Sequence, residues 1–404
     1  MRILVLDEEF PYPTNNGKRT RSFNLYSRLA KEFRIRYLGY GESGSAAAEA
    51  LRNAGIEPIA VPARVPRKHG AIFYLRLLAN VLSPLPYIVT SHYSRVYADS
   101  VRANMAFDPN LLLCEWTPYA IYARAPSSAK KLVSAHNVEA DIWRRYFDNE
   151  TNWLRRWYIR EQYRKVKRFE HAALNWVDGA VAVSDLDCAR LARECPSLPL
   201  TVVPNGVDLD YFRPSPPAAS RHLVFTGSMD WRPNQDAARY FVGHILPLLH
   251  QRRPDLECTF VGRCPPEDIR VLADKLGVHI TGTVDDVRPY VERAAVYVVP
   301  VRIGGGSRLK ILEAMAMGRP VVSTTVGAEG LDVVHDQHVL LADDPKTFAD
   351  SVLRLLGDPE MCKKLAANGR SLVEQNYGWD ALAKRFGDFM YKVIESRPTH
   401  AYLT

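Results

Sequence analysis

The sequence lacks the features that mark membrane-spanning, exported and metal-binding proteins. It has no apolar stretch of about 18 residues, the length that crosses a bilayer, and its N-terminal apolar run covers only residues 3–6. Its six cysteines form no C-x-x-C pair and no zinc-binding spacing, so we expect reduced thiols in a cytosol. It also contains no His, Cys and carboxylate cluster with metal-ligand spacing, and no recognisable nucleic-acid-binding module. We therefore predict no transmembrane helix, export signal, metal site or nucleic-acid partner.

What the sequence contains is ordinary for a globular protein of more than one domain. Hydrophobic residues make up 47% and charged residues 24% of a chain of 404 residues, which is longer than one hydrophobic core normally supports. The net charge of +8 is compatible with three classes of partner: nucleic acid, an anionic membrane, or a substrate that carries phosphate. Charge alone does not choose between them.

The order of short apolar runs predicts two α/β units. Strands are predicted in the first half at residues 2–6, 35–38, 111–114, 131–134 and 179–183, with a helix near 20–32, and in the second half at 222–227, 259–262, 279–282, 296–300 and 321–324. Several of these are continuous apolar runs, as expected of parallel strands buried on both faces. Their alternation with helical segments predicts a Rossmann-like unit in each half, joined by a hinge within residues 204–217, which are rich in turn-forming residues.

A glycine-rich turn in the second half is the most informative local feature. It follows the apolar run 295–300 and consists of Gly304, Gly305, Gly306 and Ser307. A helix is predicted next, because Leu309, Leu312 and Ala316 recur at helical spacing. Free backbone amides at the start of such a helix, with Arg308 and Lys310 beside them, are typical of a phosphate site.

Glu313 is the unusual residue of this predicted helix. It follows Leu309 by four positions and so lies on the apolar side, where a carboxylate requires hydrogen-bond donors. The hydroxyls of a bound sugar or ribose would supply them. An ordinary helix with a Lys310–Glu313 pair is the alternative interpretation.

The same segment resembles the nucleotide-sugar site of glycosyltransferase family 4, a retaining family with the GT-B fold of two Rossmann-like domains facing across a cleft. Glu313 matches the second of two glutamates in the family's pattern, and the tail Gly318-Arg319-Pro320-Val321-Val322 matches its Gly-x-Pro-Val-Val. Gly305 stands where the family has its first glutamate. The form of the segment is similar to a subgroup of bacterial exopolysaccharide sugar transferases.

The resemblance implies a domain plan and an activity. Residues 1–205 would form an acceptor-side domain, 206–378 the nucleotide-sugar domain, and 379–404 a helix that returns to the first domain. The implied reaction is a retaining transfer from a nucleotide-diphosphate sugar to a lipid-linked or glycan acceptor, in bacterial surface or exopolysaccharide synthesis, with no cofactor and no metal. A GT-B nucleotide-sugar epimerase, or a non-enzymatic basic protein that binds membrane or nucleic acid, is the alternative.

The resemblance also implies roles for individual residues. His136 follows a predicted strand, at the sheet edge where α/β proteins bind ligands, and would steady the transferred sugar. Position alone equally allows a packed or surface histidine. Arg308 and Lys310 would stabilise the leaving diphosphate. Further donor contacts would come from the three glycines and the serine of the turn, from Glu313, and from Gly17, Gly227, Arg232, Val284 and Glu329.

Two departures from the family pattern affect the expected phosphate contacts. Many relatives carry an Arg and a Lys where this chain has Ser228 and Asn234. Asn16-Gly17 stands where relatives carry a Gly-Gly turn, and the neighbouring Lys18, Arg19 and Arg21 are either phosphate contacts or a solvated basic face.

Two further segments have ambiguous patterns. Residues 153–176 form a predicted helix with interleaved aromatic side chains and the cations Arg155, Arg156, Arg160, Arg164, Lys165, Lys167 and Arg168. Such a helix suits an anionic membrane surface, and a solvated basic face is the alternative. We therefore expect a cytoplasmic protein, with peripheral contact at the inner face of the cytoplasmic membrane left open. Residues 71–82 are expected to be either core or an acceptor groove.

Overall fold

A computed structural model describes residues 1–62, 70–124, 127–216, 221–229, 231–263, 265–303 and 309–396. The chain divides into two compact units, the first made of Met1–Pro204 with Asp380–Thr404 and the second of Asn205–Trp379. The predicted glycine-rich turn, Gly304 to Arg308, lies outside the described residues.

The described part of the first unit is built on a seven-stranded parallel sheet. Its strands are β1 (Arg2–Glu9), β2 (Arg34–Tyr40), β3 (Glu57–Val61), β4 (Leu111–Cys114), β5 (Lys130–Ala135), β6 (Gly179–Ala182) and β7 (Leu200–Val202). They lie in the order β3-β2-β1-β4-β5-β6-β7. The order reverses at β1, so the crevice where such sheets bind ligands opens at the carboxyl ends of β1 and β4.

Helices connect these strands. They are α1 (Gly17–Leu29), α2 (Ala46–Asn53), α3 (Ala71–Val81), α4 (Tyr87–Thr90), α5 (Arg95–Asn104), α6 (Glu139–Asn149), α7 (Trp153–Leu174) and α8 (Asp185–Glu194), with 3-10 turns at Met105–Phe107 and Thr117–Arg124. Of the two alternatives for residues 71–82, the core is wrong, since most large apolar side chains of α3 are exposed. Within the described part of the chain, no helix combines the length and apolar character needed to cross a membrane.

The second unit repeats this topology with a six-stranded parallel sheet in its described part. Its strands are β8 (His222–Thr226), β9 (Glu257–Val261), β10 (Val278–Ile280), β11 (Val296–Val299), β12 (Val321–Ser323) and β13 (Leu340–Leu341), in the order β10-β9-β8-β11-β12-β13. The helices are α9 (Arg232–Tyr240), α10 (Leu246–Arg252), α11 (Glu267–Lys275), α12 (Arg288–Glu292), α13 (Leu309–Ala316), α14 (Pro345–Gly357) and α15 (Pro359–Asn376), and a π-helical turn, Phe241–Ile245, joins α9 to α10. The predicted fold class, two Rossmann-like units, is confirmed.

The last helix, α16 (Trp379–Glu395), packs on the first unit. The ring of Phe386 lies 6.4 Å from that of Tyr26, centroid to centroid, and Tyr391 lies 5.3 Å from Phe33. Gly179 permits this packing, because a Cβ there would come within 2.9 Å of a methyl carbon of Val393. The predicted return of the final helix to the first unit is therefore confirmed.

Candidate functional site

A buried carboxylate lies at the carboxyl end of β4, in the crevice of the first unit. Glu115 follows this strand directly and is fully buried. The hydroxyl of Ser22 donates to its Oε1 at 3.0 Å, and the hydroxyl of Tyr26 donates to its Oε2. Both donors come from α1, so the first helix of the unit holds the carboxylate at the sheet edge.

His136, which follows β5, is the third partner of this carboxylate. Its Nε2 lies 3.1 Å from Oε1 of Glu115 and 3.1 Å from the backbone oxygen of the same residue. Both neighbours are acceptors, so Nε2 carries the hydrogen. The structure thus places His136 at the ligand-binding edge of the sheet, with its ring oriented by Glu115.

The environment of Glu115 favours its ionised form. Burial acts to raise the pKa of this carboxyl, but the hydrogen bond and charge of His136, the Tyr26 hydroxyl and the Arg21 guanidinium outweigh it and lower the pKa to about 2. A negative charge therefore stands beside the imidazole at neutral pH.

A second buried ion pair lies at the end of β1. The ammonium of Lys18 is 2.5 Å from Oδ1 of Asp7, and the hydroxyl of Tyr37 donates to the same carboxylate. Burial raises the pKa of Asp7 against the attraction of Lys18. Glu8, next along the chain, lies 3.7 Å from the same ammonium and 3.3 Å from Nε2 of His92. The crevice of the first unit is therefore lined by acids that each have a basic partner.

The residues near Gly17 are not a solvated basic face. Gly17 is the first residue of α1, and the side chain of Asn16 caps this helix. Arg21 is fully buried and donates to the backbone oxygen of Pro204 at 2.8 Å. Arg19 donates to Oε1 of Glu9 at 2.8 Å. The cations that follow Gly17 thus have protein partners, and one of them, Lys18, reaches the crevice.

In the second unit, two strands end in glycines that approach each other closely. Gly227 follows β8 and Gly262 follows β9. A Cβ at Gly262 would lie 1.9 Å from the backbone oxygen of Gly227, a distance that no side chain can accept. A Cβ at Gly227 would lie 2.9 Å from Nζ of Lys310. The absence of side chains therefore lets the Lys310 ammonium approach the backbone at the end of β8.

Lys310 is held in this position by contacts from distant parts of the sequence. Its ammonium donates to Oδ1 of Asn234 at 2.8 Å and lies 4.4 Å from the ring centroid of Phe225. Asn234 in turn donates to the backbone oxygen of Ser228 at 2.8 Å. Nε of Arg263 donates to Oγ of Ser228 at 2.8 Å, which brings a second cation to the same loop. Sequence reasoning missed Arg263, although it directly follows the Gly262 that ends a predicted strand.

Glu313 lies one turn beyond Lys310 on α13 and is partly buried. Burial raises the pKa of this carboxyl to about 7, against the opposing charge of Lys310. Within the described ranges, no residue donates a hydrogen bond to its carboxylate. The arrangement can accept hydrogen bonds from a ligand that carries hydroxyl groups.

The remaining predicted site residues lie at separate places in the second unit. Arg232 is exposed at the start of α9. Val284, in the loop after β10, packs against the core beside a shallow cleft of about 430 Å³ that is lined by Thr283, Val284, Asp285, Asp286, Pro289, Tyr290 and Arg293. Glu329 lies in the turns after β12. Gly304, Gly305, Gly306, Ser307 and Arg308 are outside the described residues.

Sequence reasoning also missed the acids of the first unit. Glu115 directly follows β4 and Asp7 lies near the carboxyl end of β1, the edge where α/β sheets place functional side chains. That signal was available from the sequence. Within the residues that the structure describes, no group of three or more His, Cys, Asp and Glu side chains is arranged to hold a metal ion.

Two family models match the chain, one for each unit. The model described as Glycosyltransferase Family 4 matches residues 16–211, and the model described as Glycosyl transferases group 1 matches residues 220–358. The chain belongs to glycosyltransferase family 4. The predicted resemblance is thereby confirmed.

Relatives and solved structures agree with this assignment. An uncharacterised 44.6 kDa protein of the cps region of Klebsiella pneumoniae is 21% identical over 93% of this chain and 96% of its own length. The GDP-mannose-dependent alpha-(1-6)-phosphatidylinositol monomannoside mannosyltransferase of Mycobacterium tuberculosis is 31% identical, but the match covers only 48% of this chain and 56% of the relative. The structure of sucrose-phosphate synthase from Thermosynechococcus elongatus superimposes with a TM-score of 0.73 at 18% identity, covering 97% of this chain and 99% of the synthase. This likeness supports the GT-B fold.

Proposed function

We propose that this glycosyltransferase moves a sugar from a nucleotide-diphosphate donor to a lipid-linked or glycan acceptor, with retention of configuration. The observation that carries the proposal is the placement of Lys310, held by Asn234 against the end of β8 where Gly227 leaves the backbone open. A cation fixed beside open backbone suits a diphosphate. The Mycobacterium relative, described as dependent on GDP-mannose and acting on a phosphatidylinositol mannoside, supports both a nucleotide donor and a lipid-linked acceptor.

The donor would be bound mainly by the second unit. We assign the diphosphate to Lys310, Arg308 and the backbone of Gly304, Gly305, Gly306 and Ser307, with Gly227, Arg232 and Gly17 as further contacts. Glu313 would accept hydrogen bonds from hydroxyls of the ribose or sugar, because no described residue occupies its carboxylate. Val284 would contact the nucleobase through its backbone, and Glu329 is assigned to the donor side.

The proposed reaction uses no enzymatic nucleophile. The bond between the sugar's anomeric carbon and the diphosphate oxygen breaks while the acceptor oxygen attacks from the same face, and the acceptor's proton passes to the departing diphosphate. Negative charge then grows on the leaving group, where Lys310 and Arg308 would stabilise it. His136, oriented by Glu115, would steady the transferred sugar and its developing positive charge.

The biological setting is proposed from two observations. The Klebsiella relative belongs to a cps region, which supports a role in surface or exopolysaccharide synthesis. Helix α7 exposes Arg155, Arg156, Arg160 and Arg164, which supports peripheral contact of a cytoplasmic enzyme with the anionic inner face of the membrane. Lys165 is excluded from that set, because it is buried and donates to the backbone oxygen of Asn80 at 2.7 Å.

The decisive experiment is a thermal-shift screen of nucleotide-diphosphate sugars followed by product analysis. A donor at about 100 times its Kd should stabilise the folded protein by about 2.7 kcal/mol. The responding donor is then incubated with membrane extract, and the anomeric configuration of the product is read by NMR. Retention supports the proposal. An epimerised nucleotide sugar without transfer would indicate an epimerase, and no response to any donor would indicate a binding protein without this activity.

A further inference from the structure

Helix α3 turns its apolar side chains toward solvent. Five large apolar residues on or directly after this helix are between 64% and 91% exposed: Ile72, Tyr74, Leu75, Leu78 and Leu82. Four of them, Ile72, Leu75, Leu78 and Leu82, recur at helical spacing and form one stripe, which we call the leucine face. A soluble monomer rarely leaves such a contiguous apolar surface without a partner.

The outward orientation of the leucine face is built into the fold. The buried residue of α3 is the polar Asn80, whose side-chain oxygen accepts from Nε2 of Gln162 at 2.8 Å. Nζ of Lys165 donates to the backbone oxygens of Asn80 at 2.7 Å and of Val81 at 3.0 Å. Two buried side chains of α7 thus anchor the polar side of α3 and leave its apolar side free.

Helix α7, whose Gln162 and Lys165 hold the end of α3, also exposes cations and aromatic rings. Its first turns expose Trp153, Leu154 and Trp157. Arg155, which lies between the two tryptophans in the sequence, and Arg160, which follows them, are also exposed. Neither forms an ion pair with another residue in the described ranges. Interleaved aromatic and basic side chains on one helix, and an apolar stripe on a helix that it contacts, are typical of elements that lie in a membrane interface.

We propose that the leucine face inserts into the boundary between the headgroups and acyl chains of an anionic bilayer, with Trp153 and Trp157 at headgroup level and Arg155 and Arg160 on lipid phosphates. This inference deepens the proposed membrane contact by naming the element that enters the bilayer. A bilayer fits better than a second copy of the chain, because a symmetric dimer through this surface would bring the exposed cations of α7 together. Insertion also explains why the apolar stripe and the cations occur on packed neighbours.

The test is flotation of the full-length protein with vesicles of phosphatidylglycerol and phosphatidylcholine, compared with vesicles of phosphatidylcholine alone. The wild type should float with the anionic vesicles. Leu75→Gln/Leu78→Gln should bind them at least about tenfold more weakly, since two apolar side chains lose their burial. Arg155→Gln/Arg160→Gln should also bind more weakly, with the deficit shrinking at high salt because salt screens the attraction. The matched control is Arg270→Gln/Val271→Gln, a basic and an apolar residue exposed on α11, which should bind as the wild type does.

A second readout separates insertion from surface attraction. Lipids brominated on their acyl chains should quench the tryptophan fluorescence of the wild type, and Trp153→Phe/Trp157→Phe should lose most of that quenching. Equal binding of the leucine variant and the wild type would overturn the proposal. The proposal would also be overturned if light scattering detected a wild-type dimer that dissociates in the Leu75→Gln/Leu78→Gln variant. The donor thermal shift is measured in parallel: if it persists while vesicle binding is absent, the membrane inference fails alone, and if it is absent while vesicles bind, the proposed transferase function fails alone.

Discussion

The strand ends of the two units differ in chemistry, although both sheets have the same order of parallel strands. In the first unit the crevice holds buried acids with protein partners, as Glu115 has in Tyr26, Ser22 and His136. In the second unit the neighbouring strands β8 and β9 end in glycines, and the ammonium of Lys310 lies beside the first of them, Gly227. One topology thus supports a preformed polar network in one unit and an open, cationic edge in the other. We expect the proposed activity to depend on the residues that follow the strands, while the fold supplies their positions.

The largest effect should come from replacing Lys310, the cation at the sheet edge of the second unit. We expect Lys310→Ala to slow transfer by about 10²–10³-fold, which corresponds to about 2.7–4 kcal/mol, with a smaller effect on donor affinity, because the leaving diphosphate gains charge in the transition state. Single-turnover rates and donor titrations measure the two effects. Lys364→Ala, an exposed lysine on α15, is the control. A normal rate in Lys310→Ala would remove this residue from the proposed mechanism.

The next largest effect should come from a substitution that disturbs the close approach of Gly227 and Gly262. Gly262→Ala should lower the free energy of unfolding by about 1–3 kcal/mol, because its Cβ would lie 1.9 Å from the backbone oxygen of Gly227 and the strands must separate. Urea denaturation measures the change. Gly243→Ala is the matched control, since no atom lies within 4 Å of the Cβ built there. Equal stability of the two variants would show that the strand ends are not closely packed.

The network of the first unit is tested by a double-mutant cycle. Glu115→Gln removes the charge that orients His136 and should lower kcat about tenfold with little change in the KM for the donor. If Glu115 acts through the histidine, the same substitution should have almost no further effect on kcat in a His136→Ala background. Additive losses would instead mean that the two residues act separately, and circular dichroism melting of each variant monitors the fold.

The smallest effect concerns the pH dependence of donor affinity. Because burial raises the pKa of Glu313 to about 7, its carboxylate is mostly ionised at pH 8 and mostly protonated at pH 6. A carboxylate accepts hydroxyl hydrogen bonds better than the acid does, so affinity should rise several-fold, at most about tenfold, over this range. Calorimetry at several pH values measures the rise, and Glu313→Gln should abolish it.

The raised pKa of Glu313 should also affect the stability of the protein without donor. The folded state binds the Glu313 proton more tightly than the unfolded state, whose carboxyl has the ordinary pKa near 4.5. This group therefore lowers the free energy of unfolding as the pH rises from about 4.5 through 7. Replacing it with Gln should remove that contribution, which chemical denaturation at several pH values would show.

Features set by local spacing could be predicted from the sequence. The helix at Leu309–Ala316 and the buried strands around it follow from apolar periodicity, because backbone sterics restrict each segment to a small set of regular structures. Membership in the glycosyltransferase family followed from residues within that same segment. The edge strands β3, β7 and β13 were not predicted, because short strands at a sheet edge are only partly buried and carry a weak pattern.

Contacts between distant residues could not be read from the same patterns. Nothing near Lys310 in the sequence indicates that Asn234 holds its ammonium, and nothing near Glu115 indicates that Tyr26 and His136 converge on its carboxylate. Helix α3 shows the limit most clearly, since an apolar stripe has the same spacing whether it faces a core or the solvent. The sequence by itself determined the local elements, the family and the candidate phosphate segment. Only the tertiary structure decided which side chains are paired and which apolar face is exposed, because pairing and burial depend on residues that the chain brings together from far apart.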